Sequence, residues 1–245
     1  MFSLVSGFWK WLTSKNELRF LIIGLDNAGK TTTLEQLKRI YSSPTKKQNL
    51  ERVTPTIGLN LCHTHFDYST SGVFWDLGGQ LILRDIWEKH YSECDGVLFV
   101  IDSTDEDRFA EVKSTLDKIL NHSVLRQRDI PIVILINKQD DTEHAVSLSF
   151  LIGYLGLKSL VTDAVEPEDQ GDVVLIPYPA DSNRQSHVPS AEDPIASLSH
   201  ILSRDSAGPV LVCISGCSAT KNVNIKESID CLVKEAKEFA EKRRQ

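Results

Sequence analysis

The sequence predicts an α/β fold: a mostly parallel, doubly wound sheet flanked by helices. Short apolar runs typical of buried strands alternate with segments whose apolar residues recur at helical spacing. These runs are 21–23, 97–101, 132–136 and 210–214. A glycine-rich loop joins the first run to a helix predicted near 30–41. Strands that alternate with helices in this way predict parallel pairing, because each helix crosses back over the sheet.

Two further helices are predicted from the spacing of their apolar stripes. The first stripe is Phe109, Val112, Leu116, Ile119 and Leu120, and the second is Ile225, Ile229, Leu232, Val233, Ala236 and Ala240. Apolar residues that recur every three or four positions line one face of a helix, so each helix is expected to pack on the sheet through that face.

Composition limits the class of function. The chain has 245 residues, of which 41% are hydrophobic, enough for the core of one large domain. Its net charge of −7 argues against a nucleic-acid partner, because the phosphate backbone attracts basic surfaces. The five cysteines form no C-x-x-C pair, which favours free thiols in a reducing compartment.

The chain divides into a terminal segment, a core domain and an insertion. Residues 1–13 are almost wholly apolar, small or aromatic, whereas 17–160 and 209–245 carry the strand and helix pattern. Residues 161–208 hold five of the nine prolines and nine acidic residues against two arginines. This composition predicts an exposed, largely irregular insertion. We expect it to spare the glycine-rich loop after the first run and the other motifs described below, from which it is distant in sequence.

A phosphate-binding loop is predicted where the first strand meets the first helix. Residues 24–31, GLDNAGKT, match G-x-x-x-x-G-K-[ST] in that context. A glycine loop can serve backbone geometry alone, but the flanking strand and helix favour a site whose N–H groups surround phosphates. Lys30 is expected to neutralise the β- and γ-phosphates, and the Thr31 hydroxyl to bind Mg²⁺. The predicted phosphate-binding residues are Gly24, Asp26, Asn27, Ala28, Gly29, Lys30, Thr31 and Thr32, with Gly79 from a later loop.

The base is expected to be guanine, because Asn137-Lys138-Gln139-Asp140 follows a predicted strand. The Asp140 carboxylate can accept hydrogen bonds from N1–H and the exocyclic amine of guanine, and adenine offers no such pair of donors. Asn137 is expected to tie loops together, and the Lys138 stem to cover the face of the ring.

Two segments between these motifs are candidates for the parts that sense the γ-phosphate. In residues 75–80, WDLGGQ, Asp76 is expected to hold Mg²⁺ through water, the Gly79 N–H to reach the γ-phosphate and Gln80 to orient the attacking water. Upstream, the Thr56 hydroxyl is expected to close over Mg²⁺. Loss of the γ-phosphate would release both segments, which is the behaviour of a switch. The predicted catalytic residues are Gln80, Lys30 and Thr56, and the predicted metal site is Thr31, Thr56 and Asp76.

The motifs GLDNAGKTT, TPTIGLN, WDLGGQ and NKQD, in this order, resemble the ADP-ribosylation factor (ARF) family, and most of all its ARF-related members. The likeness covers roughly residues 1–160 and 210–240. It implies a Ras-like P-loop G domain with a six-stranded, mostly parallel sheet. Cys217-Ser218-Ala219 is similar to the family's last guanine loop, which implies guanine binding by Ser218 and Ala219, with the Ala219 N–H on the base oxygen.

One departure from the family affects partner choice. The family's switch surface commonly carries three aromatic residues, of which Trp75 is kept while Leu59 and His90 stand at the other two positions. Effector choice is therefore expected to differ from that of typical members.

The resemblance also implies a regulated GTP/GDP cycle. An exchange factor would load GTP, an activating protein would trigger hydrolysis, and effectors and a Golgi membrane receptor would bind the GTP form. The protein is then expected to be a monomer of the cytoplasm that associates reversibly with Golgi or trans-Golgi membranes in vesicle and protein traffic. The alternative is a GTP-sensing scaffold with negligible hydrolysis; Gln80 and Thr56 favour the hydrolytic switch.

The N-terminal segment is predicted to be an amphipathic helix that meets the membrane surface. Its apolar residues stack at helical spacing in two rows, Phe2, Val5, Trp9 and Leu12, and Leu4, Phe8 and Trp11. The start Met1-Phe2 lacks the glycine needed for myristoylation, and the resemblance implies N-terminal acetylation instead. Permanent packing of this segment in a groove of the domain is the alternative, and both remain open.

Asp26 leads to an expectation about rate. A carboxylate in the phosphate loop should repel the negative charge that develops on the γ-phosphate, and no motif marks an arginine that would offset it from within the chain. We therefore expect slow intrinsic hydrolysis that needs an arginine from an activating protein.

Overall fold

A seven-stranded sheet forms the centre of the molecule in the computed structural model, which describes residues 16–41, 58–157, 174–179 and 210–243. The strands lie in the order β2-β3-β1-β4-β5-β7-β6. Only β2 and β3 pair antiparallel, and every other neighbouring pair is parallel. The predicted α/β class is therefore confirmed.

The strands of the sheet are β1 (Asn16–Ile23), β2 (Leu59–His65), β3 (Thr70–Leu77), β4 (Gly96–Asp102), β5 (Pro131–Asn137), β6 (Val174–Ile176) and β7 (Val210–Gly216). Four of the strands, β1, β4, β5 and β7, contain the apolar runs predicted from the sequence. Of these, β4 and β5 are buried along their whole length, which is why their sequences are continuous apolar runs rather than alternating ones.

Six helices of the described ranges flank the sheet. They are α1 (Lys30–Tyr41), α2 (Asp85–His90), α3 (Phe109–Leu120), α4 (Ser123–Gln127), α5 (Leu148–Tyr154) and α6 (Ile225–Lys242), with single 3₁₀ turns at Leu81–Leu83 and Glu106–Arg108. The helices predicted near 30–41, over the stripe that begins at Phe109 and in the C-terminal segment are confirmed. None of the helices in the described ranges is both long and apolar enough to cross a membrane.

The core consists of two apolar clusters on opposite faces of the sheet. Because successive side chains of a strand point to opposite faces, Leu21 and Ile23 belong to one cluster and Phe20 and Ile22 to the other. The first cluster is closed by α3 and α5, and the second by α1 and α6. The sheet is thus covered on both faces, as parallel sheets require.

The expected count of six strands is wrong, because the insertion supplies a seventh. Val174–Ile176 pairs parallel to β7 at the edge of the sheet, with Leu175 opposite Ile214. Leu175 packs against the first core cluster and Ile176 against the second. Three consecutive apolar residues can therefore join a sheet from within a segment that is otherwise acidic and proline-rich. Most of 161–208 lies outside the described residues, as do residues 1–13 with the predicted N-terminal helix.

Candidate functional site

The phosphate loop runs from the end of β1 to the start of α1. Its backbone packs closely against the side chain of Asn137. A Cβ atom at Gly29, where φ is +98°, would lie 2.2 Å from Nδ2 of Asn137. No other residue fits that position without displacing Asn137. Asn27 also has a positive φ of 61°, a conformation that asparagine tolerates. The loop thus presents its backbone N–H groups beside the first turn of α1.

Lys30, the first residue of α1, is 6% exposed. Its ammonium group donates to the carbonyl oxygen of Leu25 at 2.6 Å, which folds the side chain back over the loop. Burial lowers the pKa of Lys30 to about 8, and the nearby carboxylates of Asp76 and Asp26 limit the decrease. This buried cation is the part of the loop most suited to an anionic ligand.

Two oxygen ligands predicted for Mg²⁺ lie next to each other. The Thr31 hydroxyl donates to Oδ2 of Asp76 at 2.8 Å, although the two residues are 45 positions apart. The Nδ2 of Asn60 on β2 donates to the same oxygen at 3.1 Å. A hydroxyl and a carboxylate are hard oxygen donors of the kind that Mg²⁺ prefers. The third predicted ligand, Thr56, lies outside the described residues, and Thr32 lies in the first turn of α1.

Gly79 brings the segment after β3 into contact with the phosphate loop. A Cβ atom built on Gly79 would lie 2.4 Å from Nζ of Lys30 and 2.5 Å from the backbone nitrogen of Asp26. Only glycine allows this approach, since any side chain would overlap both groups. Gln80, the next residue, has an exposed side chain and precedes the Leu81–Leu83 turn.

The predicted base-binding loops meet the phosphate loop through Asn137. Its side chain is 2% exposed, donates from Nδ2 to the carbonyl oxygen of Ala28 at 2.9 Å and accepts at Oδ1 from the Ala219 N–H, also at 2.9 Å. One amide thus joins three loops that are distant in sequence. The Ala219 N–H, expected on the guanine oxygen, donates to Asn137 here, so a bound base would share this donor.

The other guanine-loop residues lie at the same end of the sheet. Lys138, with a φ of 64°, donates from Nζ to the Asp102 carboxylate, which holds its stem in one direction. Asp140 accepts from the Thr220 hydroxyl at 3.1 Å, so the NKQD loop and the last loop are in contact. Ser218 is fully buried and its hydroxyl accepts from the Lys221 N–H at 3.0 Å.

Sequence reasoning missed the residues that surround Asp26. Arg108 donates from Nη1 to the Asp26 carboxylate at 3.0 Å and from Nη2 to its carbonyl oxygen at 3.1 Å. Arg84 lies 4.0 Å from the same carboxylate and donates from Nε to the Gly79 carbonyl oxygen at 2.9 Å. Both arginines have further acidic partners, Asp105 for Arg108 and Glu111 for Arg84. The charge of Asp26 is therefore offset, which reduces the repulsion that the sequence alone suggests.

These two arginines also link three parts of the site. Because Arg84 follows the Gly79–Gln80 segment, its contacts hold that segment against the phosphate loop and against α3. No periodic pattern marks such pairs, because their members lie on separate loops. Asp102 could have been found, since it ends β4 beside the carboxyl end of β5, where sites of parallel sheets form.

Comparisons with known proteins agree with this geometry. The model of the ADP-ribosylation factor family matches residues 4–169. ADP-ribosylation factor-related protein 1 of Homo sapiens is 45% identical over 140 residues, 57% of this chain and 68% of that protein. ADP-ribosylation factor-like protein 3 of Saccharomyces cerevisiae is 42% identical over 140 residues, 57% of this chain and 69% of its own.

A solved structure with the same fold is that of the Arl6 BBS3 small GTPase from Trypanosoma brucei with the bound nucleotide analogue GppNp. It superimposes with a TM-score of 0.61 at 21% identity, covering 91% of this chain and 99% of that one. At this identity the likeness concerns the fold.

The family model that matches, together with the loops at the carboxyl end of the sheet, defines a domain of the small GTPase class. The chain belongs to the ADP-ribosylation factor family, whose members hydrolyse GTP.

The pairing of Asp26 leads to a prediction about affinity. Arg108→Ala would leave the Asp26 carboxylate less compensated beside the bound phosphates, so we expect GDP to bind about 3- to 10-fold more weakly. Adding Asp26→Asn to this variant should restore affinity to within about 2-fold, because the repelling charge is then gone. Titration with a fluorescent GDP analogue measures both. Arg126→Ala, on the exposed face of α4, is the matched control; equal weakening in the single and double variants would contradict the electrostatic explanation.

Proposed function

We propose that this chain is a nucleotide-dependent switch in Golgi-associated vesicle and protein traffic, active with GTP and inactive with GDP. The observation that carries the proposal is the Asn137 amide, which joins the phosphate loop at Ala28 to the guanine loop at Ala219. A nucleotide that spans both loops would be held at its two ends by one connected structure. The similarity to ADP-ribosylation factor-related protein 1 supports the Golgi assignment.

In this proposal the phosphate end is bound by backbone and by Lys30. The N–H groups of residues 26–32 would surround the phosphates, and α1 would direct its N-terminus at them. Lys30 is already buried there, so its cost of desolvation is met before the ligand arrives. The Gly79 N–H would reach the γ-phosphate, because Gly79 has no side chain and its backbone can therefore lie close to Lys30.

The base end would be read by Asp140, with the loop Ser218–Ala219 beneath the guanine oxygen. The Asp140 carboxylate accepts from Thr220, and the two guanine donors would use its remaining acceptor capacity. The Lys138 stem, held by Asp102, would cover one face of the ring.

Thr31 and Asp76 would hold a magnesium ion, and Thr56, which precedes β2 in the sequence, would be a further ligand. When bound there, Mg²⁺ would offset the charge of the β- and γ-phosphates. Asp76 is fully buried and accepts from Thr31 and Asn60, so its carboxylate is held in place before any ligand binds. This preorganised position suits an outer ligand that acts through water.

Hydrolysis would use Gln80 to orient water at the γ-phosphate, and an arginine from an activating protein. Arg84 and Arg108 both reach Asp26 of the phosphate loop, but each is also paired with a further carboxylate. Neither is positioned to stabilise the transition state unless these ion pairs break. We therefore propose slow intrinsic turnover and acceleration in trans.

The partners would be an exchange factor, an activating protein, effectors and a Golgi membrane receptor. The effector surface would include exposed apolar residues next to the sensing segment, Leu59 and Leu61 on β2 and Leu81 and Ile82 after Gln80. Trp75 and His90 stack edge to face beside them, with ring centroids 5.0 Å apart. The protein would act as a monomer that moves between the cytoplasm and the membrane.

Membrane flotation tests the proposed cycle. The full chain is loaded with GTPγS or with GDP and mixed with Golgi-enriched membranes, and with the same membranes after protease treatment. We expect binding with GTPγS only, and loss of that binding after protease treatment, because a protein receptor is proposed. Equal binding of the two nucleotide forms would contradict a GTP-dependent membrane switch.

Gln80→Leu should separate nucleotide binding from hydrolysis. The leucine cannot orient water, so we expect the single-turnover rate with an activating extract to fall at least about 100-fold while GTP affinity changes less than about 2-fold. Rapid quench with radiolabelled GTP measures the rate. Gln127→Leu on exposed α4 is the matched control. A rate equal to that of the unmodified chain would remove Gln80 from the mechanism.

A further inference from the structure

Asn224 makes two hydrogen bonds that join the insertion to the core domain. Its Nδ2 donates to the carbonyl oxygen of Pro177 at 2.8 Å and to that of Gly216 at 2.7 Å. Pro177 follows β6 within the insertion, and Gly216 ends β7. Because both partners are carbonyl oxygens, each takes one of the two N–H groups of Nδ2. The amide oxygen Oδ1 could not replace Nδ2 there, since it only accepts hydrogen bonds.

The backbone of Asn224 holds this side chain in place. It has φ 60° and ψ 8°, the left-handed conformation, at the position just before α6. Its own carbonyl oxygen accepts from the Ser228 hydroxyl, so the residue is fixed to the first turn of the helix as well. The Asn224 side chain therefore links two separate chain segments, and we call its two hydrogen bonds, to Pro177 and to Gly216, the bracket.

The Gly216 side of the bracket leads directly into the guanine loop. The next residue, Cys217, donates to the Ile136 carbonyl oxygen at 2.9 Å and accepts from the Gln139 N–H at 3.1 Å. Two residues later, the Ala219 N–H bonds Asn137. The position of the Gly216 carbonyl therefore constrains the loop that we propose to contact the base.

The insertion side of the bracket is packed as well as bonded. Ile176 lies opposite Ser215 in the parallel ladder, one residue before Gly216. Leu175 and Ile176 contact the two core clusters on opposite faces of the sheet. Residues 174–177 are thus held by pairing with β7, by packing against the two core clusters and by the hydrogen bond from Asn224. They lie next to Gly216, where the guanine loop begins.

We propose that Asn224 is a positioning residue that couples the insertion strand β6 to the guanine loop, and that this coupling sets the lifetime of the bound nucleotide. The inference rests on the proposed nucleotide site and goes beyond it. When β6 is docked, the amide of Asn224 holds Gly216 and the loop that follows it in the nucleotide-binding position. A partner that pulled on the insertion would release this restraint, and the nucleotide would leave faster.

The substitution that tests this is Asn224→Gly, because glycine keeps the left-handed backbone and removes both hydrogen bonds. In the full chain we expect the dissociation rate of a fluorescent GDP analogue to rise about 3- to 30-fold, since each lost bond weakens the loop. Single-turnover GTP hydrolysis should change less than about 2-fold, because the phosphate end is untouched. A general loss of structure would also raise the dissociation rate, but it would lower the hydrolysis rate by more than about 2-fold.

Asn222→Gly is the matched control. Asn222 also has a positive φ, of 56°, in the same loop, and its side chain is exposed. We expect the control to leave the dissociation rate within about 2-fold of the unmodified chain. An unchanged rate in Asn224→Gly, or an equal rise in both variants, would overturn the proposal.

A second variant tests the insertion itself. Leu175→Ser weakens the packing of β6 without touching the bracket, so it should also speed GDP release. If both substitutions act through one coupling, their effects should not multiply. The GDP dissociation rate of the double variant should then be at most about 2-fold higher than that of the faster single variant. Fully multiplicative effects would overturn the coupling. Failure of the unmodified chain to bind GDP would instead refute the proposed function.

Discussion

The side-chain amide of Asn137 is the contact on which the site depends. It lies at the carboxyl end of β5, almost without solvent exposure, and bonds the phosphate loop at Ala28 and the last loop at Ala219. Gly29 has no side chain because a Cβ atom there would overlap this amide. A buried amide that left either partner unmet would cost about 1–3 kcal/mol, so the three loops are stable in this arrangement only together.

The parallel sheet explains why these loops meet at all. Strands β1, β4, β5 and β7 run in one direction, so their carboxyl ends lie along one edge and the loops after them converge. The antiparallel β2–β3 pair brings residues 76–79 to the site from the side, where Asp76 meets Thr31 and Gly79 meets Lys30. Strand β6 is the edge strand on the other side of the sheet from β2. Asn224 connects the residue that follows β6 to the start of the last loop through its hydrogen bonds to Pro177 and Gly216.

Features that depend on residues close together in the sequence could be predicted, whereas contacts between distant residues could not. Helix α1 was predicted near its observed bounds because the phosphate loop sets its start. Strand β6 was missed because three apolar residues carry no period and lie among prolines and acids. The Arg108–Asp26 pair joins residues 82 positions apart, and the two bonds of Asn224 depend on a left-handed backbone. Such contacts are products of the tertiary fold, and no spacing rule signals them.

The central claim is that the connected loops form one site specific for a guanine nucleotide. The most direct measurement is the dissociation constants of GDP and ADP for the full chain with Mg²⁺, by calorimetry. Because Asp140 would bond two donors that adenine lacks, we expect GDP to bind at least about 10³-fold more tightly than ADP. Equal binding of GDP and ADP, or no binding of either, would contradict this account of the site.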